Sequence, residues 1–290
     1  ISAIVTENLT LAEKIAIKIL KQDEQNQEAK LVSFVSALNK NNMNKINAFR
    51  LDVSNKNNEL FNYLFFDDEK IKTKTKISNS FVEIVRSSYS SNENKFSQNY
   101  NFLLFYTSLS ILIDEKNFEA IFIKGQILQI IENFLSAESV YSKIPSTSNF
   151  YLDAQRNIAF NYSNENVFEN VESKIISIIK KNYDDYELLK ILADFYRIEK
   201  QYGTAIEKYS FLIDKNLEDK WYMYYLRGIC YEQSGNWEKA EKDFLKSLKL
   251  KRDSPNVLNY LAYGWIERDI RIDESYVMLI DAYNANPDSF

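Results

Sequence analysis

The chain has 290 residues, a net charge of −5, 45% hydrophobic and 14% aromatic residues, one cysteine and no histidine. That length and apolar share build one elongated or about two compact cores and exclude a disordered chain. The mild acidity disfavours nucleic acid, whose phosphates draw on clustered Lys and Arg. Without histidine there is no Ser-His-Asp or Cys-His machinery, and the commonest metal ligand is missing. The lone Cys230 forms no intramolecular disulfide and, set among apolar residues, reads as a buried structural thiol. No apolar run approaches the ~20 residues that span a bilayer. Ile1 is followed by neither a basic nor an apolar leader pattern, so an export signal has been removed or never existed. With few glycines and prolines, long helices joined by short turns are expected rather than a β sandwich.

In chain order, Thr10 and Glu13 read as a capping box opening a helix with the apolar stripe Leu11, Ala12, Ile15, Ala16 and Leu20. It resembles the second helix of a pair whose first helix precedes the chain. Residues 27–39 and 43–54 form a further hairpin, and helices near 57–66, 78–90 and 98–113 continue the series. Between them FFDDEKIKTKTKISNS, from Phe65, breaks the periodicity and reads as a solvated loop or hinge. Its alternating Lys70, Lys72, Lys74 and Lys76 imitate a strand or a basic patch, and a linker is the favoured reading. The Ser- and Asn-rich run from Ser87 reads the same way.

From residue 118 onward the sequence repeats. Tyr162, Tyr196, Tyr231 and Trp265 keep one phase, 34 or 35 residues apart. Ala205, Ala240 and Ser275 keep a second, Tyr209, Phe244 and Leu279 a third, and Gly125, Ala159, Ala193, Gly228 and Ala262 a fourth. Each unit reads as two antiparallel helices, A and B, each carrying a small residue and an aromatic on one face. The small residues let A and B approach, and the aromatics fill the space beside them. Gly235 and Asn236 end helix A, Ser254 and Pro255 open the next, and Pro287 stops the last helix B.

This pattern resembles the tetratricopeptide repeat (TPR) family, a 34-residue helix-turn-helix unit. Residues 221–254 carry Gly228, Tyr231, Gly235, Trp237, Ala240 and Phe244 where the family favours those types, with Arg252 in place of the closing proline. Residues 255–287 match through Leu261, Ala262, Trp265, Ala282 and Pro287, with one residue inserted between Asp269 and Asp273. Residues 186–220 match through Leu192, Ala193, Tyr196, Tyr202, Ala205 and Tyr209. The units 118–151 and 152–185 are degenerate. The resemblance implies an all-α, right-handed solenoid of stacked helix pairs. Its sections are degenerate helical repeats over 1–76, an atypical helical hairpin over 77–117 and a TPR array over 118–290. The last segment is similar to the C-terminal repeats of long bacterial proteins of alphaproteobacterial type, which implies that further repeats follow Phe290. That likeness favours a bacterial periplasm or cell envelope, with cytoplasm as the alternative.

Little catalytic chemistry is written in the chain. The five glycines are scattered singly, so no phosphate-binding loop exists. The carboxylate pairs Asp67-Asp68 and Asp184-Asp185 lie beside expected helix starts, where acids cap helices and favour the dipole. Lys246, Lys249, Lys251 and Arg252 fall at the end of a helix, where cations offset it. No cofactor and no metal is expected. In the family the A helices line a concave groove, and its facing positions carry Tyr222, Tyr225 and Leu226, then Asn259, Tyr260 and Tyr263. The preceding units supply Glu187, Lys190, Asp194 and Arg197, then Arg156 and Asn157. The Lys and Asn clamp that relatives use for chaperone C-termini is absent, since the ninth positions read Gln126, Phe160, Asp194, Ile229 and Tyr263. The resemblance implies a non-catalytic scaffold whose groove holds a peptide or helix of a protein partner. The alternative is a structural, self-associating module of a bacterial envelope assembly. A third is a helical-repeat RNA binder or an arm of an enzyme whose catalytic part lies elsewhere.

Overall fold

A computed structural model describes residues 2–55, 65–67, 70–90, 99–164, 170–215, 218 and 220–285. The chain divides into two compact units, Ile1–Ile158 and Ala159–Phe290. The first contains helices α1 (Ser2–Val5), α2 (Leu9–Leu20), α3 (Gln27–Asn39) and α4 (Met43–Asn55), then α5 (Lys74–Ser90), α6 (Tyr100–Ile113), α7 (Phe118–Ile130) and α8 (Phe134–Tyr141). Helix α9 (Tyr151–Asn164) crosses the division. The second unit continues with α10 (Val171–Lys181), α11 (Tyr186–Ile198), α12 (Tyr202–Asp214) and α13 (Lys220–Gln233), then α14 (Trp237–Leu250), α15 (Pro255–Ile266) and α16 (Ile272–Ala285). The one exception to the helical fold among the described residues is a minimal antiparallel pairing of β1 (Phe66–Asp67) with β2 (Lys70–Ile71), Phe66 opposite Ile71.

One turn recurs where an A helix passes into a B helix. A residue with positive φ comes first: Glu7 (59°), Asn41 (51°), Glu132 (59°), Lys200 (59°) and Gly235 (77°). The next residue then donates its N–H five positions back, as Asn8 does to the Ala3 carbonyl at 2.9 Å and Asn236 to that of Tyr231 at 2.8 Å. This left-handed closure satisfies a carbonyl that the helix end would otherwise orphan. The same residue opens helix B: the Asn8, Asn42, Asn133 and Asn236 side chains accept the Leu11, Lys45, Ser136 and Lys239 N–H groups. Asn26, Asn99 and Asn117 cap α3, α6 and α7 likewise. Seven asparagines thus serve as helix caps, each cap worth ~1 kcal/mol.

The turn corrects the reading of the N-terminus. Thr10 lies inside α2, capped by Asn8, and Glu13 pairs with Lys40 and Lys45 instead of closing a capping box. The last turn of the preceding A helix is α1, within the chain. The expected hairpin at 27–39 and 43–54 is α3 and α4. The lysine-rich stretch read as a linker is structured: Lys70 lies on β2, and α5 starts at Lys74, so the section boundary at 76 falls inside a helix. Of the helix expected near 57–66, residues 57–64 lie outside the described residues and Phe66 stands on β1 instead. The Ser- and Asn-rich run from Ser87, read as a linker, begins inside α5, and its part at 91–98, like Asp68 and Pro287, lies outside the described residues.

Packing between paired helices is set by small residues under rings. A methyl added to Gly228 on α13 would sit 2.7 Å from the Phe244 ring of α14, and one on Gly125 of α7 would collide with the Tyr141 ring of α8. Ala193 and Tyr209 hold the same relation of spacing on α11 and α12, and both are fully buried. Gly264 extends the device from one helix pair to the next within the C-terminal unit, with the Trp237 ring occupying the space of its absent side chain. Each fully buried ring contributes about 1.5–3 kcal/mol, and only where the opposing backbone lets it in.

Polar groups lock the remaining approaches. On α13, Arg227 donates from Nε and Nη2 to Asp243 of α14 at 2.7 and 2.8 Å, and from Nη1 to Ser210 of α12 at 2.9 Å, tying three successive helices. In the N-terminal unit the rings Phe34, Phe65 and Phe81 pack in series, and between α5 and α6 serines take the place of the small-residue device. Ser78 of α5 and Ser110 of α6 each donate to the other's carbonyl at 2.9 Å, with Asn117 Nδ2 2.8 Å from Ser78 Oγ. Buried Lys124 donates to the Val5 carbonyl and to Glu7, both at 2.8 Å, anchoring the end of α1 on α7. Cys230 is fully buried, and burial pushes its thiol up to about 12.

The glycine contacts make a prediction. Gly228→Ala is expected to destabilise by about 1–3 kcal/mol through overpacking against Phe244. Gly203→Ala, with nothing within 4 Å of the added methyl, is expected to stabilise by about 0.5–1 kcal/mol. Urea unfolding followed by circular dichroism checks both, and equal effects would contradict the packing account.

Candidate functional site

The A helices of the C-terminal unit each bury one stripe and turn another outward. On α13, Met223, Leu226 and Cys230 are buried, while Tyr222 and Glu232 remain partly accessible. On α15, Leu258, Leu261, Ala262 and Trp265 are buried, and Tyr260 and Tyr263 are 37% and 52% exposed. Proline at the first position of α15, after Ser254 with extended backbone, fixes where that stripe begins, although the Ser254 side chain makes no capping bond.

The outward stripes meet in an aromatic row. Tyr222 lies 6.0 Å from Tyr225, and Tyr225 packs edge-on to Tyr260 at 5.6 Å between ring centres. Phe244 reaches between them from α14, 6.3 Å from Tyr225 and 6.0 Å from Tyr260. Lys190 of α11 adds a cation 5.6 Å above the Tyr222 ring. Tyr225 itself is buried, and burial drives its hydroxyl well above the ordinary tyrosine range. It is therefore the foundation of the row more than its contact surface.

Beside the row an open cleft of about 570 Å³ is lined by Glu232 and Gln233 from α13 and by Asn259, Tyr260, Tyr263, Glu267 and Arg268. Asn259 Oδ1 is buried without a hydrogen-bond partner. Burial, with a smaller push from Glu267 and an opposing pull from Arg268, holds the Glu232 carboxyl above its ordinary value. Arg268 is committed: it donates to the Gly264 carbonyl at 2.8 Å, stacks 4.1 Å over Trp237 and lies 3.6 Å from Glu267.

The nine residues expected from the sequence thus separate. Tyr222, Tyr225, Tyr260 and Lys190 converge on the row, and Asn259 and Tyr263 join Tyr260 in the cleft. Asp194 faces the same side but is engaged, accepting the Tyr209 hydroxyl at 2.7 Å and pairing with Arg197 at 3.3 Å. Burial, reinforced by Asp194, raises that hydroxyl far above the usual tyrosine value. Arg156 and Asn157 belong to α9 in the N-terminal unit, where Arg156 pairs with Asp153 at 2.9 Å. Glu232, Gln233 and Glu267, which also line the cleft, were not among the residues expected from the sequence. Asp185 caps α11 through the Glu187 and Leu188 N–H groups, which gives that acid its structural task. Among the described residues no cluster of Asp, Glu or Cys is arranged to hold a metal ion, and no helix is long and apolar enough to cross a membrane.

The fold and this face define an all-helical repeat protein of stacked antiparallel pairs, the architecture that presents extended surfaces to other proteins. Residues 221–254 match the tetratricopeptide repeat family model, so the chain carries a tetratricopeptide repeat within a TPR-type fold. The solved APC/C heterotetramer Cut9-Hcn1 is similar at 15% identity and a TM-score of 0.54, over 95% of this chain and 49% of that one. That likeness is one of fold. MamA is similar at 16% identity and a TM-score of 0.46, over 57% of this chain and 95% of that one. No curated protein matches the sequence.

Asp194→Ala strands the buried Tyr209 hydroxyl and is expected to cost about 1–3 kcal/mol in urea unfolding, part of which Tyr209→Phe restores in the same chain. An Asp194→Ala variant as stable as wild type would return that carboxylate to the set available for a ligand.

Proposed function

We propose that the chain is a non-catalytic scaffold whose A-helix face forms a concave groove for an extended or helical segment of a partner protein. The observation that carries this is the surface made by Tyr222, Tyr260 and Tyr263 with Asn259. Two tyrosine rings are substantially exposed there, next to a buried carbonyl oxygen that nothing among the described residues satisfies. Tyrosine offers large contact area at low entropy cost, and an unpaired acceptor gains from an incoming amide. The acidic balance and the carboxylates of the cleft favour protein over nucleic acid. TPR-type repeats in a known interaction scaffold architecture support the same class of function.

Selection of random peptides displayed on phage against the immobilised protein tests the reading. Selected peptides are expected to bind wild type and to lose roughly tenfold or more in affinity against a Tyr222→Ala, Tyr260→Ala, Tyr263→Ala variant, since buried tyrosines dominate such interfaces. Tyr225 is left intact because it packs on Phe244, and its removal would test folding instead. Peptides that bind wild type and variant equally would remove the groove.

A further inference from the structure

We infer that the cleft between α13 and α15 is a subsite for a cationic side chain, arginine before lysine, carried by the segment that the A-helix face binds. This rests on the groove reading above and goes beyond it by naming the chemistry of one ligand position.

Charge and hydrogen-bond accounting within the cleft lead there. Glu232 and Glu267 bring two negative charges and Arg268 one positive. The Arg268 guanidinium is held by the Gly264 carbonyl, the Trp237 ring and Glu267. Glu232 is left half-buried with neither an ion pair nor a side-chain hydrogen bond among the described residues. Burial raises its pKa, and the Arg268 charge offsets that only in part. Asn259, on the same cleft, has its Oδ1 enclosed and without a partner among the described residues. A guanidinium carries five N–H donors in a rigid fork and suits the Glu232 carboxylate, whereas a carboxylate or an alkyl group leaves that acceptor unsatisfied.

The rings complete the match. Tyr263, half exposed, and Tyr260 offer faces to a cation and to the methylene stem behind it, and cation–π contact strengthens where water is partly excluded. The side chains come from two successive A helices, so the subsite exists only where two pairs stack.

Fluorescence anisotropy with labelled eight-residue peptides of alternating Arg and Ser, and their Lys, Gln and Glu counterparts, tests the assignment. The Arg peptide is expected to bind wild type best, and Glu232→Gln to weaken it about tenfold while leaving the helical circular dichroism unchanged. Glu238→Gln removes the same charge at an exposed position on α14 and is expected to leave affinity within about twofold, since exposed pairs are worth little. Equal weakening by the two substitutions, or no preference of wild type for Arg over Gln, overturns the subsite. Phage-selected peptides separate the two failures. If they depend on Tyr260 and Tyr263 but are indifferent to Glu232→Gln, the groove stands without the cationic position. If they are indifferent to all three, the groove reading falls and the subsite with it.

Discussion

At Gly125, Gly228 and Gly264 an aromatic ring from a neighbouring helix occupies the space a methyl group would need. Helices can then approach until ring and backbone touch, and the ring is desolvated on both faces. Everything further out depends on that spacing. Once Phe244 packs against Gly228 of α13, its ring contacts Tyr225 and Tyr260, and those rings define where the outward face of the next A helix must lie. Bridges such as Arg227 to Asp243 and Ser210 work only at that separation, because a bidentate contact tolerates little displacement.

The candidate site is a by-product of the same geometry. An A helix that buries a small-residue stripe against its partner leaves the opposite stripe free of structural duty, and stacking two such helices opens a cleft between them. In the C-terminal unit that cleft gathers carboxylates and an amide oxygen beside exposed rings, without internal donors enough to satisfy them. A fold stabilised by its interior can leave such acceptors unpaired at modest cost. On the proposed reading, an incoming partner gains from pairing them.

Much of this architecture is legible in the sequence because the packing rule is local and periodic. Gly228 with Phe244, Ala193 with Tyr209 and Gly125 with Tyr141 recur at one spacing, and each pair meets in the structure or is buried with it. The N-terminal third hides the same plan because serines at positions 78 and 110 take over the close approach through reciprocal hydrogen bonds, leaving no ring to mark the phase. A signal was nonetheless present in the turns: Glu7-Asn8, Asn41-Asn42 and Glu132-Asn133 close A helices as Gly235-Asn236 does, but glutamate and asparagine at positive φ are not read as breakers. Thr10 and Glu13 satisfied a capping pattern one residue pair too late, since Asn8 had already capped the helix. At the site, position along the helix put the tyrosines and Asn259 on one face, and the structure brings them together there. Position did not show that Asp194 would be claimed by Tyr209 across the helix pair, or that Glu232 would remain unclaimed, because both outcomes depend on partners distant in sequence.

The most direct test of the ring-on-glycine lock is a double-mutant cycle at Gly228 and Phe244, read by urea unfolding. If the ring is what excludes a methyl, Gly228→Ala costs clearly less in a Phe244→Leu chain than in wild type, with a coupling of about 1 kcal/mol or more. Costs that add within about 0.5 kcal/mol would mean that the two residues act independently, contradicting the spacing rule on which the helix pairs and their outward face rest.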